Sequence, residues 1–570
     1  MKKVMNPTQT RIRLLVLMIS MANGTALAEA CQPQSALTRP DYDFTAGVSR
    51  WGVNEHGDDT AQKSLRVNSI AVTKLPIFDT NNPDENNAVY RWVNDHHIYT
   101  RDKVVQRQLL FAANDVTTGE EIRESERLLR DRKFTSDARI RILSQCNNGV
   151  DLEVVTREVW TLTPEVSYSS AGGDSSYKFG VRDSNFLGSG RQFSTSFEKD
   201  EDRNAFVIRG QDPNYHGSRR VIDLKFANLS DGYSYALGYG QPFYALDTRT
   251  AWSTQFNSDK QTLTQYASSE KVSETEVTSD FAEMSFGWSK GVQANHVNRF
   301  TLGLRHDKRD YGAGTDLPLP RTALDSYAIN YPFAAYEFTE TEYARAYNIN
   351  QIYRTEDLHI GKRFVSSLGY APGSDSRMIL DGEYSDTLLF SPKVLLQFSM
   401  DWTGQLVSDS NQWQNSLAHV NLAYHRGQTP SRSLYVGLDS TFSHNLRNGE
   451  QVDLGGNTGL RGFDNHFLTG DHSTVLTIEQ RLFTKTHLFN LARLGYAAFV
   501  DVGATYGGDR NALDADSGEV FSNVGFGFRL APSKSEKGQV IHIDLAYPIS
   551  GDFQTTSRSL QFTAELKKSF

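Results

Sequence analysis

The chain has 570 residues and a formal net charge of −9; only 38% of its residues are hydrophobic and 11% are aromatic. After Met21 no apolar run approaches the roughly 18 residues that a helical membrane span needs, which excludes a polytopic helical membrane protein. The acidic balance argues against a nucleic-acid partner, and the abundant aromatic residues argue against a disordered chain. A transmembrane β-barrel fits this composition, because its strands alternate apolar and polar residues.

The first 28 residues are expected to form a secretory signal peptide. Basic residues without any acidic residue precede an apolar stretch at 14–21, and small-residue cleavage sites follow at Ala26-Leu27-Ala28 and Ala28-Glu29-Ala30. A single anchoring helix is the alternative, but the apolar stretch is short and breaks at Asn23-Gly24. Export is therefore the favoured interpretation.

The two cysteines, Cys31 and Cys146, favour one disulfide in an exported chain. This bond would tie the mature N-terminus to the end of a small first domain. Two unpaired thiols are the first alternative. Lipid attachment at Cys31 is the second, because this residue directly follows a cleavage site, although Glu29 fits the small residues of such a site poorly.

A small mixed domain is predicted to follow a polar linker. Residues 29–62 are polar and irregular, and residues 63–160 have the order β-α-α-β-β, which is typical of a compact α+β unit. Its predicted strands cover 65–78, 139–143 and 150–158, and its predicted helices follow Thr100 and Thr118-Gly119.

From residue 161 to 570 the pattern is that of strands about ten residues long. In Ser433–Ser443, for example, one face of the predicted strand is apolar and the other is mostly polar. Roughly four hundred residues of this pattern are too many for one open sheet, so the edges are expected to be removed by closure into an antiparallel barrel. A propeller is not favoured, because no fixed-period motif recurs, and a soluble secreted β-rich protein is the remaining alternative.

One loop departs from plain alternation. Residues 455–463 are glycine-dense and carry one arginine, Arg461, beside Gly462 and Phe463. On two later strands, Glu479 and Asp501 lie on the face that is otherwise small or polar. If the apolar face meets lipid, both carboxylates point into the lumen, and the planar guanidinium of Arg461 can bond both. The alternative is that they are ordinary lumen charges in a channel.

These motifs, in this order, resemble a known family. The segments concerned are Asn185-Phe186-Leu187-Gly188-Ser189-Gly190, Leu460-Arg461-Gly462-Phe463, Glu479 within Thr477–Arg481, Phe499-Val500-Asp501-Val502-Gly503 and the alternating C-terminus that ends at Phe570. Together they are similar to the BamA/TamA-type outer-membrane assembly and secretion superfamily. The α+β unit resembles a single POTRA domain, where the assembly factors carry several. Lys568, two residues before the C-terminal Phe570, makes this segment less apolar than the C-terminal signal of the family.

The resemblance implies the fold and the location. It implies a periplasmic POTRA-like domain and a transmembrane barrel of 16 strands in the outer membrane of a Gram-negative bacterium. Counting candidate strands in this sequence gives about 15 before Arg461, where the family has 11, so a barrel of 18 to 20 strands is the alternative.

The resemblance also implies a loop that enters the lumen and locks Arg461 onto Glu479 and Asp501. It further implies a lateral seam where the first strand, about 164–171, meets the last, 560–570. The seam residues singled out are Ser169, Ser170, Leu566 and Phe570. Serines and glycines near 169–173 are poor strand formers, although they also fit an ordinary turn.

The expected function is assistance in the insertion or translocation of polypeptides. The expected partners are outer-membrane lipid, an unfolded client that is an outer-membrane or secreted protein, and periplasmic chaperones, with no cofactor and no metal. The alternative is a dedicated secretion pore or a passive channel for one partner. Enzymatic activity is not expected, because the chain has no H-E-x-x-H motif and no Cys/His cluster with metal spacing. The adjacent His96 and His97 would point apart.

Overall fold

A computed structural model of the chain describes most of the residues that the sequence patterns concern. The described residues are 32–33, 52–54, 64–146, 149–171, 174–314, 326–373, 376–446, 450–507, 518–550 and 559–567. The predicted signal peptide and most of the predicted linker lie outside these ranges, as does Phe570. Among the described residues, no helix has both the length and the apolar character that a membrane crossing requires.

The N-terminal part of the structure is an α+β domain. Its strands are β1 (Gln32–Pro33), β3 (Leu65–Leu75), β4 (Val116–Thr117), β5 (Thr135–Cys146) and β6 (Gly149–Glu158), and its helices are α1 (Ala88–His96), α2 (Asp102–Gln106) and α3 (Gly119–Arg130). The sheet order is β1-β5-β6-β3-β4, with β3 parallel to β6. Helix α3 begins with a capping box between Thr118 and Glu121, and such a box satisfies two free backbone N–H groups.

Helix α1 and strand β4 are additions to the β-α-α-β-β order that the sequence predicts. Asn87 caps α1 by accepting a hydrogen bond from the backbone N–H of Tyr90. No residue of α1 is buried, although Tyr90 stacks on Phe78 of the same domain. The core lies between the sheet and the other helices and consists of Val67, Val105, Leu109, Phe111, Leu129, Ala138, Val150, Leu152 and Val154.

The remainder is an antiparallel barrel in which twenty strands follow the chain order and β30 lies beside β7. The first ten are β7 (Leu162–Ala171), β8 (Asp174–Asp183), β9 (Gln192–Lys199), β10 (Asn204–Asp212), β11 (Val221–Leu229), β12 (Gly232–Gln241), β13 (Thr250–Ala267), β14 (Glu270–Gln293), β15 (His296–Gly314) and β16 (Tyr327–Glu340). The others are β19 (Gly361–Ala371), β20 (Arg377–Ser391), β21 (Val394–Val407), β22 (Gln412–Thr429), β23 (Arg432–His444), β26 (His472–Leu488), β27 (Ala492–Tyr506), β28 (Phe521–Pro532), β29 (Val540–Pro548) and β30 (Gln561–Lys567).

The described residues therefore form twenty barrel strands, at the upper end of the 18 to 20 that counting from the sequence allows, and not the 16 of the resemblance. The alternation of the strands explains the low mean hydropathy. In β28, Val524, Phe526 and Phe528 are exposed on the outside, whereas Asn523 and Arg529 are fully buried inside. Outward apolar and inward polar residues are the pattern of a barrel that faces lipid and encloses a polar lumen.

The α+β domain lies at one end of the barrel, called here the domain end; the other is the far end. Two turns at the domain end, 184–191 and 213–220, share one backbone shape, with positive φ at Leu187 and Gly188 and again at His216 and Gly217. Both turns hold the domain. Their side-chain contacts are Asn185 Nδ2 to Thr100 Oγ1 at 2.9 Å and Gln108 Nε2 to Asn214 Oδ1 at 2.7 Å.

A further hairpin at the domain end does not belong to the barrel wall. It joins β16 to β19 and consists of β17 (Tyr343–Tyr347) and β18 (Thr355–His359). The free edge of β17 pairs with β2 (Gly52–Asn54), a short strand from the N-terminal region, so that a three-stranded sheet forms in the order β18-β17-β2.

Candidate functional site: a loop anchored in the lumen

The loop between β23 and β26 starts at the far end and folds into the barrel. Its two arms, β24 (Val452–Leu454) and β25 (Leu468–Gly470), pair as a ribbon. An apolar cluster joins the ribbon to the inner wall; its members are Leu454, Leu460, Phe463, Leu468, Val475 and Phe521. Because Val475 and Phe521 belong to wall strands, this cluster fixes the loop inside the lumen.

Two glycines allow the loop to approach the wall. Gly459 has φ of 123°, which L side chains rarely adopt. A Cβ on Gly462 would lie 2.6 Å from the Cβ of Asn523 on the wall. The glycine density of the segment thus has a specific cause, since the backbone beside Arg461 lies directly against β28.

Arg461 forms a bidentate pair with Asp501. Its Nε lies 2.9 Å from Oδ2 and its Nη2 lies 2.7 Å from Oδ1 of the carboxylate. Its Nη1 donates to Asp544 Oδ2 at 3.3 Å, and its guanidinium carbon lies 3.3 Å from the centre of the Phe499 ring. The guanidinium therefore joins β27 and β29 through their inward side chains.

Asp501 is completely buried, and its oxygens are hydrogen-bonded by further donors. Thr477 Oγ1 donates to Oδ1 at 2.9 Å, and Asn523 Nδ2 donates to Oδ2 at 2.9 Å. A buried carboxylate with several donors and a paired guanidinium meets the conditions under which a buried charge is stable.

Glu479 is part of the same network. The expectation was that Arg461 bonds to Glu479 as well as to Asp501, but it does not hydrogen-bond to Glu479. The Arg461 Nη1 lies 3.8 Å from Glu479 Oε2, which is an ion-pair distance. Two other guanidiniums are nearer: Arg529 Nη2 at 3.4 Å and Arg481 Nε at 3.6 Å. The register explains this, because Asp501 lies opposite Thr477 rather than Glu479, so the two acids are offset along the strands.

The network contains two contributors that the sequence reasoning missed, Asp544 and Arg529. Arg529 is completely buried, and its Nη1 is hydrogen-bonded to Asp544 Oδ1. The signal for Asp544 was available, since Val540–Pro548 alternates apolar and polar residues and puts Asp544 on the inward face. The resulting cluster balances three guanidiniums, Arg461, Arg481 and Arg529, against three carboxylates, Glu479, Asp501 and Asp544.

His466, on the returning arm of the loop, forms a second anchor near the far end. Its Nε2 lies 2.8 Å from Glu201 Oε1 and its Nδ1 lies 2.8 Å from Asp453 Oδ2, while its ring stacks on Tyr266. Burial lowers the pKa of His466, but its contacts with Asp453 and Glu201 outweigh burial and raise the pKa to about 10. A protonated His466 thus fastens the loop to the turn between β9 and β10.

At the predicted seam, β30 is seven residues long, the shortest of the described barrel strands. Leu566 is exposed on its outer face. Ser169 and Ser170 belong to β7 and pair with Ser176 and Ser175 of β8. Ser169 lies near the far end and Leu566 near the domain end, so these two positions are not opposite each other.

The predicted disulfide falls on Cys31, which lies outside the described residues. Its neighbour Gln32 pairs with Gln145, the neighbour of Cys146, in the β1–β5 ladder. The disulfide remains a prediction that this pairing supports.

The sequence contains one G-x-S-x-G pattern, Gly287 to Gly291, which bears on the expectation that the protein is not an enzyme. It lies at the end of β14 beside a bulge, and the Ser289 hydroxyl donates to the Asn298 carbonyl oxygen at 2.7 Å. A nucleophile elbow needs a strand-to-helix turn, which this hairpin does not provide. His97 lies in the domain with its Nε2 3.4 Å from Glu158 Oε2.

Comparisons with known proteins give distant structural similarities. No protein-family model matches the sequence, and no curated protein matches it. The crystal structure of BamA from Haemophilus ducreyi lacking POTRA domains 1-3 is 13% identical over 88% of this chain and 84% of that one, with a TM-score of 0.37. CdiB from Acinetobacter baumannii is 12% identical, with 89% and 74% of the chains covered and a TM-score of 0.39. The FrpB iron transporter from Neisseria meningitidis (F5-1 variant) is 9% identical, with 74% and 84% covered and a TM-score of 0.40.

Proposed function

We propose that this chain is an outer-membrane β-barrel of a Gram-negative bacterium that assists the insertion or translocation of other polypeptides. The observation that carries the proposal is the bidentate contact of Arg461 with Asp501 inside the barrel. It joins the R-G-F segment to the F-x-D-x-G segment, two of the motifs on which the resemblance to the BamA/TamA-type superfamily rests.

The proposed arrangement puts the barrel in the membrane and the domain end in the periplasm. Exposed apolar side chains on the outer face of the barrel support contact with lipid; they include Phe179, Phe206, Leu224, Phe226, Trp288, Leu302, Ile478, Phe526 and Leu545. In this orientation the α+β domain is a single POTRA-like domain that receives clients on the periplasmic side, and the Arg461 loop enters from outside the cell.

The role proposed for the loop is to stiffen the wall beside the seam. Arg461 ties Asp501 on β27 to Asp544 on β29, and Gly462 packs on Asn523 of β28. The wall is therefore cross-braced up to the strand next to β30, whereas β30 itself is short. Opening between β30 and β7 would need the loss of few hydrogen bonds and would expose an edge for a client strand, by β-augmentation.

The seam can be tested with a cross-link between the outward, mid-height positions Val166 on β7 and Ala564 on β30. The variant Val166→Cys/Ala564→Cys, made with the native cysteines replaced by serine, is closed with a short bifunctional maleimide and reconstituted in liposomes. The probe is a urea-denatured eight-stranded barrel protein, and the measurement is its rate of folding. We expect the closed seam to reduce this rate to the rate of empty liposomes.

The matched control is Ile541→Cys/Leu566→Cys, because these residues face each other across the β29–β30 ladder. This cross-link leaves the seam free, and the folding rate should remain at the value of the uncross-linked protein. Equal folding rates with and without the Val166–Ala564 cross-link would contradict insertion through the seam.

The second candidate function is a dedicated secretion pore or passive channel for one partner. The twenty strands favour it, since the width of a barrel grows with the number of strands. Passage through the lumen would survive the closed seam. Export of one partner that persists with the Val166–Ala564 cross-link would therefore select this candidate.

A further inference from the structure

The hairpin between β16 and β19 crosses the lumen at the domain end. Ile352, near its tip, is buried against inward side chains of four wall strands; these are Phe483 on β26, Ala497 on β27, Ala531 on β28 and Val540 on β29. Nearer its base, Ala344, Ala346 and Leu358 pack on Leu395 of β21. A segment rooted between β16 and β19 that reaches β29 must span the opening.

Polar contacts hold the tip of the hairpin to the wall. The Arg354 guanidinium donates to the carbonyl oxygens of Ser535 at 2.9 Å and Glu536 at 3.2 Å, both in the turn between β28 and β29. The carbonyl oxygen of Ile349 accepts from Arg481 Nη1 at 3.3 Å. Since Arg481 also lies 3.6 Å from Glu479, the hairpin tip touches the charge network of the Arg461 loop.

The base of the hairpin is held by the α+β domain. Arg130, on α3, forms a bidentate pair with Asp357, with distances of 2.8 Å and 2.7 Å, and only 3% of its side chain is exposed. Thr355 Oγ1 donates to Asp137 Oδ2 at 2.7 Å, and the Arg127 guanidinium lies over the Tyr343 ring. The domain thus contacts the hairpin through buried charged groups, the strong class of hydrogen bond.

The hairpin also has a strand partner of its own. Residues Gly52–Asn54 add to β17 through the pairs Arg345↔Asn54, Ala346↔Val53 and Tyr347↔Gly52. Three strands in place of two widen the layer that lies across the opening and cover the β17 edge, which would otherwise be free to pair.

We propose that the segment 342–360 is a plug that closes the domain end of the lumen, and that the pair Arg130–Asp357 is its latch to the α+β domain. The plug prevents solutes from passing through the twenty-strand barrel. Movement of the domain withdraws Arg130 from Asp357, so that the hairpin can leave the lumen. The proposal rests on the part of the proposed function that puts the barrel in a membrane, but not on insertase or secretion activity.

The test is the conductance of the purified full-length protein in planar lipid bilayers of phosphatidylcholine. In the first variant Tyr343–His359 is replaced by Gly-Ser-Gly; in the second, Arg130→Asp breaks the latch. Both variants should insert as folded barrels, which a shift in electrophoretic mobility on heating reports. We expect the parent to be nearly closed, the deletion to conduct at least several-fold more, and Arg130→Asp to open in frequent bursts.

Two further variants complete the test. Arg130→Asp/Asp357→Arg restores an opposite pair and should return the conductance toward that of the parent. Arg191→Ala, which removes an exposed arginine paired with Asp212 elsewhere at the domain end, should leave it unchanged. A folded, inserted deletion variant that conducts like the parent would overturn the plug. Failure of the parent itself to insert into a bilayer would instead overturn the membrane location.

Discussion

Replacement of Arg461 by alanine tests the central contact of the lumen site. The change removes two hydrogen bonds to Asp501 and one to Asp544 and leaves three buried carboxylates facing two guanidiniums. Breaking a buried ion pair by removing one partner costs about 3–5 kcal/mol. The lower half of this range is expected, because Thr477 and Asn523 still donate to the Asp501 carboxylate.

The assay is urea unfolding of the barrel in lipid vesicles, followed by tryptophan fluorescence, with chymotrypsin cleavage as a second measurement. Cleavage at Phe463 and Phe467 should accelerate in the variant, because release of the loop exposes both rings, which now stack on each other. The unfolding free energy should fall by about 3–4 kcal/mol.

Two variants serve as controls. Arg461→Lys keeps the charge and loses the planar fork, so it should fall between the parent and the alanine variant. Arg191→Ala removes an exposed arginine that is paired with Asp212, and such a pair is worth about 1 kcal/mol. An Arg461→Ala protein that matches Arg191→Ala in both stability and cleavage would refute the reasoning that this loop is locked in the lumen.

Three further predictions concern the loop and the domain. Gly462→Ala should destabilise the barrel by about 1–3 kcal/mol in the same urea assay, because its Cβ would collide with Asn523; no loss would mean that the loop is not tightly packed. The anchoring by His466 is complete below its ordinary pKa of 6.5 and is lost as the pH rises through about 10. Chymotrypsin should therefore cleave the loop faster above pH 10 than at pH 7. The same pH dependence in His466→Gln would contradict this. Gly188→Ala should loosen the domain, because a Cβ there meets the carbonyl oxygen of Tyr99; faster tryptic cleavage of the domain is the expected result, and unchanged cleavage would count against this contact.

Much of the fold follows from the sequence because strand alternation is a local property. Successive residues of a strand point to opposite faces. If the apolar face meets lipid, this alternation alone puts Val524 outside and Asn523 inside. The same alternation puts Glu479 and Asp501 on the inward face. Alternation cannot decide which guanidinium reaches which acid, because this depends on the register between strands. Asp501 lies opposite Thr477, and Arg461 hydrogen-bonds to Asp501 but not to Glu479.

The parts that the sequence did not reveal depend on long-range packing. The hairpin Tyr343–His359 looks like any other pair of short strands, and only its position inside the opening distinguishes it from the wall. Helix α1 has no buried residue, and the stacking of its Tyr90 on Phe78 is a tertiary contact that the local sequence does not show. Arg529 stands in a stretch of plain alternation, and nothing local marks it as a partner of Asp544.

The twin turns at 184–191 and 213–220 determine how the α+β domain can move. Two fixed points leave a rigid body a single rotation, about the line that joins them. The contacts of Arg130 with Asp357 and of Lys534 with Glu85, which are formed with other parts of the barrel, block that rotation. Further contacts away from the turns also oppose it, among them Thr355 Oγ1 to Asp137 and Asn490 Nδ2 to the Asp84 carbonyl oxygen. Once all of these contacts break, the domain can rotate aside without detaching from the two turns. The chain can thus open and close its lumen repeatedly while the domain stays attached to the barrel at the two turns.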